Sequence, residues 1–265
     1  MIIMYPMEKS VVEKNRIHLL DEIRGFAVLF MVIYHGFYIF ADFYGFDFAA
    51  KVVEALSPAA LFDACLFIGI CGFCCNLSHN NLKRGAVILG AGLFITLVTA
   101  VIMPLLGFID CEIWFGILHF LGVAVLLFAL ISKLFTRING YVGVLVNLAL
   151  FVFFFGIEKH TLGFGDLLKI TLPDSLYTTK WLVPLGIYPA GFFSADYFPI
   201  LPFIFMFFVG AFIGVIIKSK GLSGYAYKKR VPFLSFLGRH ALIVYIIHIP
   251  IIAGIGYIID LAINH

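Results

Sequence analysis

Charge is what this chain has least of. Only 12% of its 265 residues are Asp, Glu, Lys or Arg, about half of the ~25% that a soluble domain carries. So little charge cannot solvate a globular surface. With 63% hydrophobic residues and a mean hydropathy of +1.08, it leaves an all-α, polytopic membrane helical bundle as the fold class. A disulfide framework is missing too. Of the 5 cysteines, Cys65, Cys71, Cys74 and Cys75 crowd into one apolar segment and Cys111 stands alone. In lipid a cysteine behaves as a small apolar residue, and no second Cys or His group at ligand spacing accompanies the CxxCC run, so no metal is expected. The opening MIIMYPMEKSVVEKNR has no apolar core followed by a small-residue cleavage site, so no removable signal peptide is expected. No internal repeat relates one half of the chain to the other, and no nucleic-acid partner is expected.

What is present is a series of apolar stretches of about 20 residues, the length that crosses a bilayer. Seven are read, at roughly 23–41, 57–77, 85–103, 113–132, 140–157, 198–217 and 240–259. The basic residues orient them. Lys9, Lys14, Arg16 and Arg24 precede or open the first span, and Lys83 and Arg84 follow the second. Lys133 and Arg137 follow the fourth, and Lys218, Lys220, Lys228, Lys229, Arg230 and Arg239 follow the sixth. Fourteen of the 18 Lys and Arg thus fall on one side. By the positive-inside rule the N-terminus is cytoplasmic and the C-terminus outside. Residues 1–22 are expected to form a cytoplasmic segment and 23–260 a single transmembrane domain. Its outer loop, 158–197, is rich in Pro and aromatics, as in a packed, partly interfacial cap.

One stretch concentrates the polar groups: RIHLLDEIRGFAVLFMVIYH, residues 16–35. Arg24 and His35 fall within about 20° of one helix face, roughly 16 Å apart along the axis. The same face carries Asp21, Met31, Tyr38 and Asp42, a polar stripe that should avoid lipid. His35, Asp63, His119, His248 and Asp196 lie in the middle or outer part of their spans, and one cavity could collect them. Imidazoles move protons near neutral pH and carboxylates orient them, so these are the catalytic candidates. Arg16, Arg24, Lys83, Arg84, Arg239 and His240 surround the inner helix ends, a setting for phosphates. A phosphate-rich donor with a reactive tail, such as acyl-coenzyme A, fits that division. Plainer readings stand beside these. The basic residues also serve as anchors to lipid head groups, Asp21 and Arg24 as a local ion pair, and His248 as an interhelical hydrogen bond.

The 16–35 stretch resembles the opening signature of the transmembrane acyltransferase superfamily: Arg and Asp before RG, then a histidine after ten intervening residues. NLKRGAVILGAGLFITLVT (81–99), FGILHFLGVAVLL (115–127), DYFPILPFIFMFFVGAFIG (196–214) and FLGRHALIVYIIHIP (236–250) resemble the bacterial branch of the heparan-α-glucosaminide N-acetyltransferase catalytic-domain family. The likeness covers most of 16–255. It implies transfer of an acetyl or other acyl group from cytoplasmic acyl-CoA, across a bacterial inner membrane, to a hydroxyl or amine on a sugar or cell-envelope acceptor. Arg24 and His35 match the RG-to-His motif, His119 the GILH block, Asp196 the DYFP block, and Arg239, His240 and His248 the closing GRH block. Where the family often has HQP, this chain has His248-Ile249-Pro250. The heparan substrate is not carried over. His35 or His119 would act as general base or acyl acceptor, oriented by Asp63 or Asp196, and direct transfer and an acyl-histidine relay both remain open. A proton-coupled small-solute transporter is the rival reading, because intramembrane His and Asp also build proton relays.

Overall fold

Seven helices in the computed structural model are long and apolar enough to cross a membrane. The structure describes residues 16–107 and 111–264. The expected cytoplasmic segment 1–22 therefore lies, as far as residue 15, outside the described residues, as does Asp110. The membrane-length helices are α1 (His18–Asp42), α2 (Asp47–Cys75), α3 (Asn81–Leu97), α4 (Ile117–Phe135), α5 (Gly140–Phe154), α6 (Ile200–Lys220) and, after a short α7 (Pro232–Arg239), α8 (Ala241–Asn264). α3 is carried to Leu105 through a π-helical turn, Val98–Ile102. Between α5 and α6 lie 3-10 turns and one small antiparallel hairpin, β1 (Thr161–Gly163) with β2 (Lys169–Thr171).

Span boundaries agree with the apolar runs to within a few residues at most ends. α2 is the main departure, starting at Asp47 rather than 57. Asp47, Lys51 and Glu54 read as loop, yet all three lie on the helix. They are exposed, so the added turns carry their charges without burying them.

The chain divides into two compact units: residues 1–67 with 221–265, and residues 68–220. In the first, α1 packs on α7 and α8. A Cβ on Gly25 would meet the Leu234 carbonyl and lie 3.0 Å from the Gly238 nitrogen, and a Cβ on Gly238 would meet the Asp21 carbonyl. Two backbones meet there because neither helix carries a side chain at the crossing. That matters in lipid, where helices associate by close packing and polar contact rather than by hydrophobic burial. Further along the pair, Tyr44 donates its hydroxyl to the Ala253 carbonyl at 2.8 Å. The second unit has a phenylalanine core, including Phe120, Phe128, Phe203, Phe207 and Phe212, all buried. Its α3–α4 pair is set by Gly92, against which His119 sits.

Candidate functional site

The histidines expected to be catalytic, His35, His119 and His248, form two arrangements, one in each unit. In the first, His35 of α1 and His248 of α8 face each other with Nδ1 and Nε2 3.2 Å apart and ring centroids at 5.1 Å. His248 Nδ1 is 2.6 Å from the Tyr245 carbonyl, which only accepts, so Nδ1 of His248 carries a proton. In the neutral ring its Nε2 is then the acceptor, and His35 donates Nδ1–H to it. The His35 ring also donates to the Met31 carbonyl, one turn back on α1. A base whose far nitrogen is held by a second group is the arrangement that general-base and nucleophilic catalysis need.

In the second unit the same logic gives another result. The Gly116 N–H donates to His119 Nδ1 at 3.2 Å. Nε2 of the neutral ring therefore carries the proton and donates to Thr96 Oγ1 at 3.0 Å. Thr96 passes its own hydroxyl proton to the Ile113 carbonyl at 2.7 Å, while Thr99 Oγ1 accepts the Ile113 N–H at 3.1 Å. His119 Nδ1 thus serves the N-terminus of α4, and Nε2 ties it to Thr96 of α3. Asp196 serves that terminus as well, its Oδ2 accepting from the Ile117 N–H at 3.0 Å. A carboxylate at a helix N-terminus satisfies an orphan donor and opposes the helix dipole. Asp196→Ala is therefore expected to cost about 1–2 kcal/mol, read as a lower unfolding midpoint in detergent, with Asp196→Asn keeping part of it. An unchanged midpoint in the alanine variant would remove the capping role.

Asp63 is buried on α2, and its Oδ1 has no hydrogen-bond partner among the described residues. The inner basic residues have protein partners. Arg16 Nε and Arg24 Nη1 reach Asp21 at 2.6 and 3.5 Å, and Arg24 also donates to the Gly238 carbonyl at 3.2 Å. Arg239 Nε donates to the Ser235 carbonyl and His240 Nδ1 to the Phe236 carbonyl. Arg84 turns back onto α2, with Nη2 3.2 Å from Cys71 Sγ and Nη1 3.7 Å from Cys75 Sγ. Lys83 is exposed. On α1 the expected stripe divides: Asp21 is buried and His35 meets α8, whereas Tyr38, about 60° further round the helix, is exposed.

Three further groups carry no motif signal. Thr96 is one of two threonine hydroxyls in an apolar run. Glu22 is buried and accepts from the Arg230 and Val231 N–H groups at 2.7 and 3.0 Å. In the outer loop, burial and then the Glu158 carboxylate, to which Tyr188 donates at 3.1 Å, push the Tyr188 phenol up to about 12. It stays a donor throughout the physiological range.

Seven membrane-length helices, with imidazoles and carboxylates held inside them by directed hydrogen bonds, define a multi-pass integral membrane protein with polar chemistry among its spans. Within that class the chain belongs to one family. The model described as "Heparan-alpha-glucosaminide N-acetyltransferase, catalytic" matches residues 16–250. Membership implies an acetyltransferase. Comparison with curated proteins and with solved structures gave no match.

Proposed function

We propose that this protein moves an acetyl or other acyl group from cytoplasmic acyl-CoA to a hydroxyl or amine on an extracytoplasmic acceptor, a glycan or lipid-linked sugar, in the inner membrane of a bacterium. The observation that supports this best is the His35–His248 pair, two imidazoles from different helices held against each other by a hydrogen bond. In this reading His35 takes the proton of the acceptor hydroxyl or amine as it attacks the thioester carbonyl. CoA leaves as its thiolate and is protonated in turn. His248 positions His35, and Asp63 offers an unpartnered buried oxygen to a proton or to the acceptor. His119 and Asp196 hold the first turn of α4. Arg16, Arg24, Arg239 and His240 in the first unit, and Lys83 and Arg84 in the second, are the cationic groups offered to the CoA phosphates. With the basic ends cytoplasmic, the N-terminus faces the cytosol, and residues 23–260 act as one transmembrane domain around this chemistry.

Incubating the purified protein with acyl-CoA labelled on the acyl group tests the reading. Free CoA and labelled acceptor are expected when membrane glycans are supplied. With acyl-CoA alone and an acid quench, label on the protein marks an acyl-histidine relay, and its absence marks direct transfer. Solute uptake with no acyl turnover would replace the enzyme by the transporter.

A further inference from the structure

Of the segment between α6 and α8, residues 225–236 are not used by this chemistry, and they have two unlike faces. On one side Ser235 and Gly238 of α7 are buried against α1. On the other, Phe233 and Phe236 are 59% and 52% exposed, with Val231 and Tyr225 exposed beside them. Lys228, Lys229 and Arg230 precede the helix and are exposed, the Arg230 guanidinium lying over the Tyr225 ring. The two acids at this end of α1 are committed inside the unit. Asp21 pairs with Arg16 and Arg24, and Glu22 receives the Arg230 and Val231 N–H groups and the Ser235 hydroxyl. No ion pair among the described residues engages Lys228, Lys229 or Arg230. One residue, His240, separates α7 from the span that begins at Ala241, so this cationic, aromatic face sits where a span leaves the membrane.

We propose that Lys228, Lys229 and Arg230, with Phe233 and Phe236, form a docking surface for anionic phospholipid in the leaflet at the basic end of the spans. The cations meet the headgroup phosphates, and the rings enter the headgroup–acyl boundary. The pattern is that of an interfacial helix, whose affinity combines buried apolar area with attraction to anionic lipid. Here the opposite face is occupied by α1, so α7 lies between protein and lipid. The Glu22 carboxylate fixes the start of the helix, which sets the direction in which the preceding cations project.

The test uses the whole chain in lipid nanodiscs. Trp114 and Trp181, its 2 tryptophans, are replaced by Phe, and one reporter is introduced as Phe233→Trp, with Phe236→Trp as the second variant should the first fold poorly. Brominated phosphatidylglycerol is expected to quench the reporter more than brominated phosphatidylcholine at equal mole fraction. The Lys228→Gln/Lys229→Gln pair should lower that preference roughly 5-fold per lysine, about 25-fold together, and raised salt should lower it in the parent. Equal quenching by the two lipids, or a preference indifferent to the glutamines, overturns the proposal. So does a reporter quenched by neither lipid and shielded by a second copy of the chain. Loss of the preference on adding coenzyme A alone would hand the lysines to the nucleotide and overturn it too.

Discussion

His35→Ala is expected to lower acyl transfer by roughly two to four orders of magnitude, the range over which a positioned general base acts, while the protein accumulates and elutes normally in detergent. The reason is local. His35 is the imidazole that meets His248, and alanine removes it together with its bond to the Met31 carbonyl. His248→Ala should cost less, about one to two orders of magnitude, because it removes the group that orients the base rather than the base itself. The double variant should then be no worse than His35→Ala alone, since residues acting as a unit are strongly non-additive. His119→Ala separates the two arrangements. Its two nitrogens tie the start of α4 to Thr96 of α3, so its activity loss should travel with a lowered unfolding midpoint. Normal turnover in both His35→Ala and His119→Ala would sink the site.

The spans were legible because membrane crossing imposes a length and a composition on one contiguous segment. α2 shows the limit of that signal. Once α2 is lengthened by turns bearing Asp47, Lys51 and Glu54, the apolar window no longer marks its start. The ionisable residues were legible one by one, because each is costly in an apolar segment. Their partners were not. His35 meets His248 across 213 positions, Glu22 reaches Arg230 across 208, and Asp196 caps Ile117 from 79 positions away. Such pairings depend on which helices become neighbours, and a single sequence carries no term for that. Spacing along α1 placed Arg24 and His35 on one face, but it could not show that Arg24 would be shared between Asp21 and the Gly238 carbonyl. The same holds for Arg84, whose run of neighbours suggested a phosphate site and whose guanidinium lies against two thiols.

Gly25→Ala is the second large effect, and it falls on stability. The added Cβ would collide with the Leu234 carbonyl and stand 3.0 Å from the Gly238 nitrogen, backbone atoms with no side-chain freedom to yield. α1 and α7 must move apart. The expected cost is on the order of 3 kcal/mol, the upper end for overpacking, because the same crossing carries the Glu22 cap and the bond from Arg24 to the Gly238 carbonyl. Gly36→Ala on the same helix is the control: its Cβ would find only Ile252 Cδ1, at 3.9 Å, an ordinary contact. Unfolding midpoints of the two variants in one detergent should therefore separate widely, with Gly36→Ala near the parent. The comparison also bears on why Arg24-Gly25 and Gly238-Arg239-His240 stand as motifs. If the arginines alone matter, as phosphate ligands, Gly25→Ala should leave the midpoint in place and only weaken acyl-CoA binding. If the crossing matters, the midpoint falls first, and binding fails because Arg24 and Arg239 are positioned by two backbones that no longer touch.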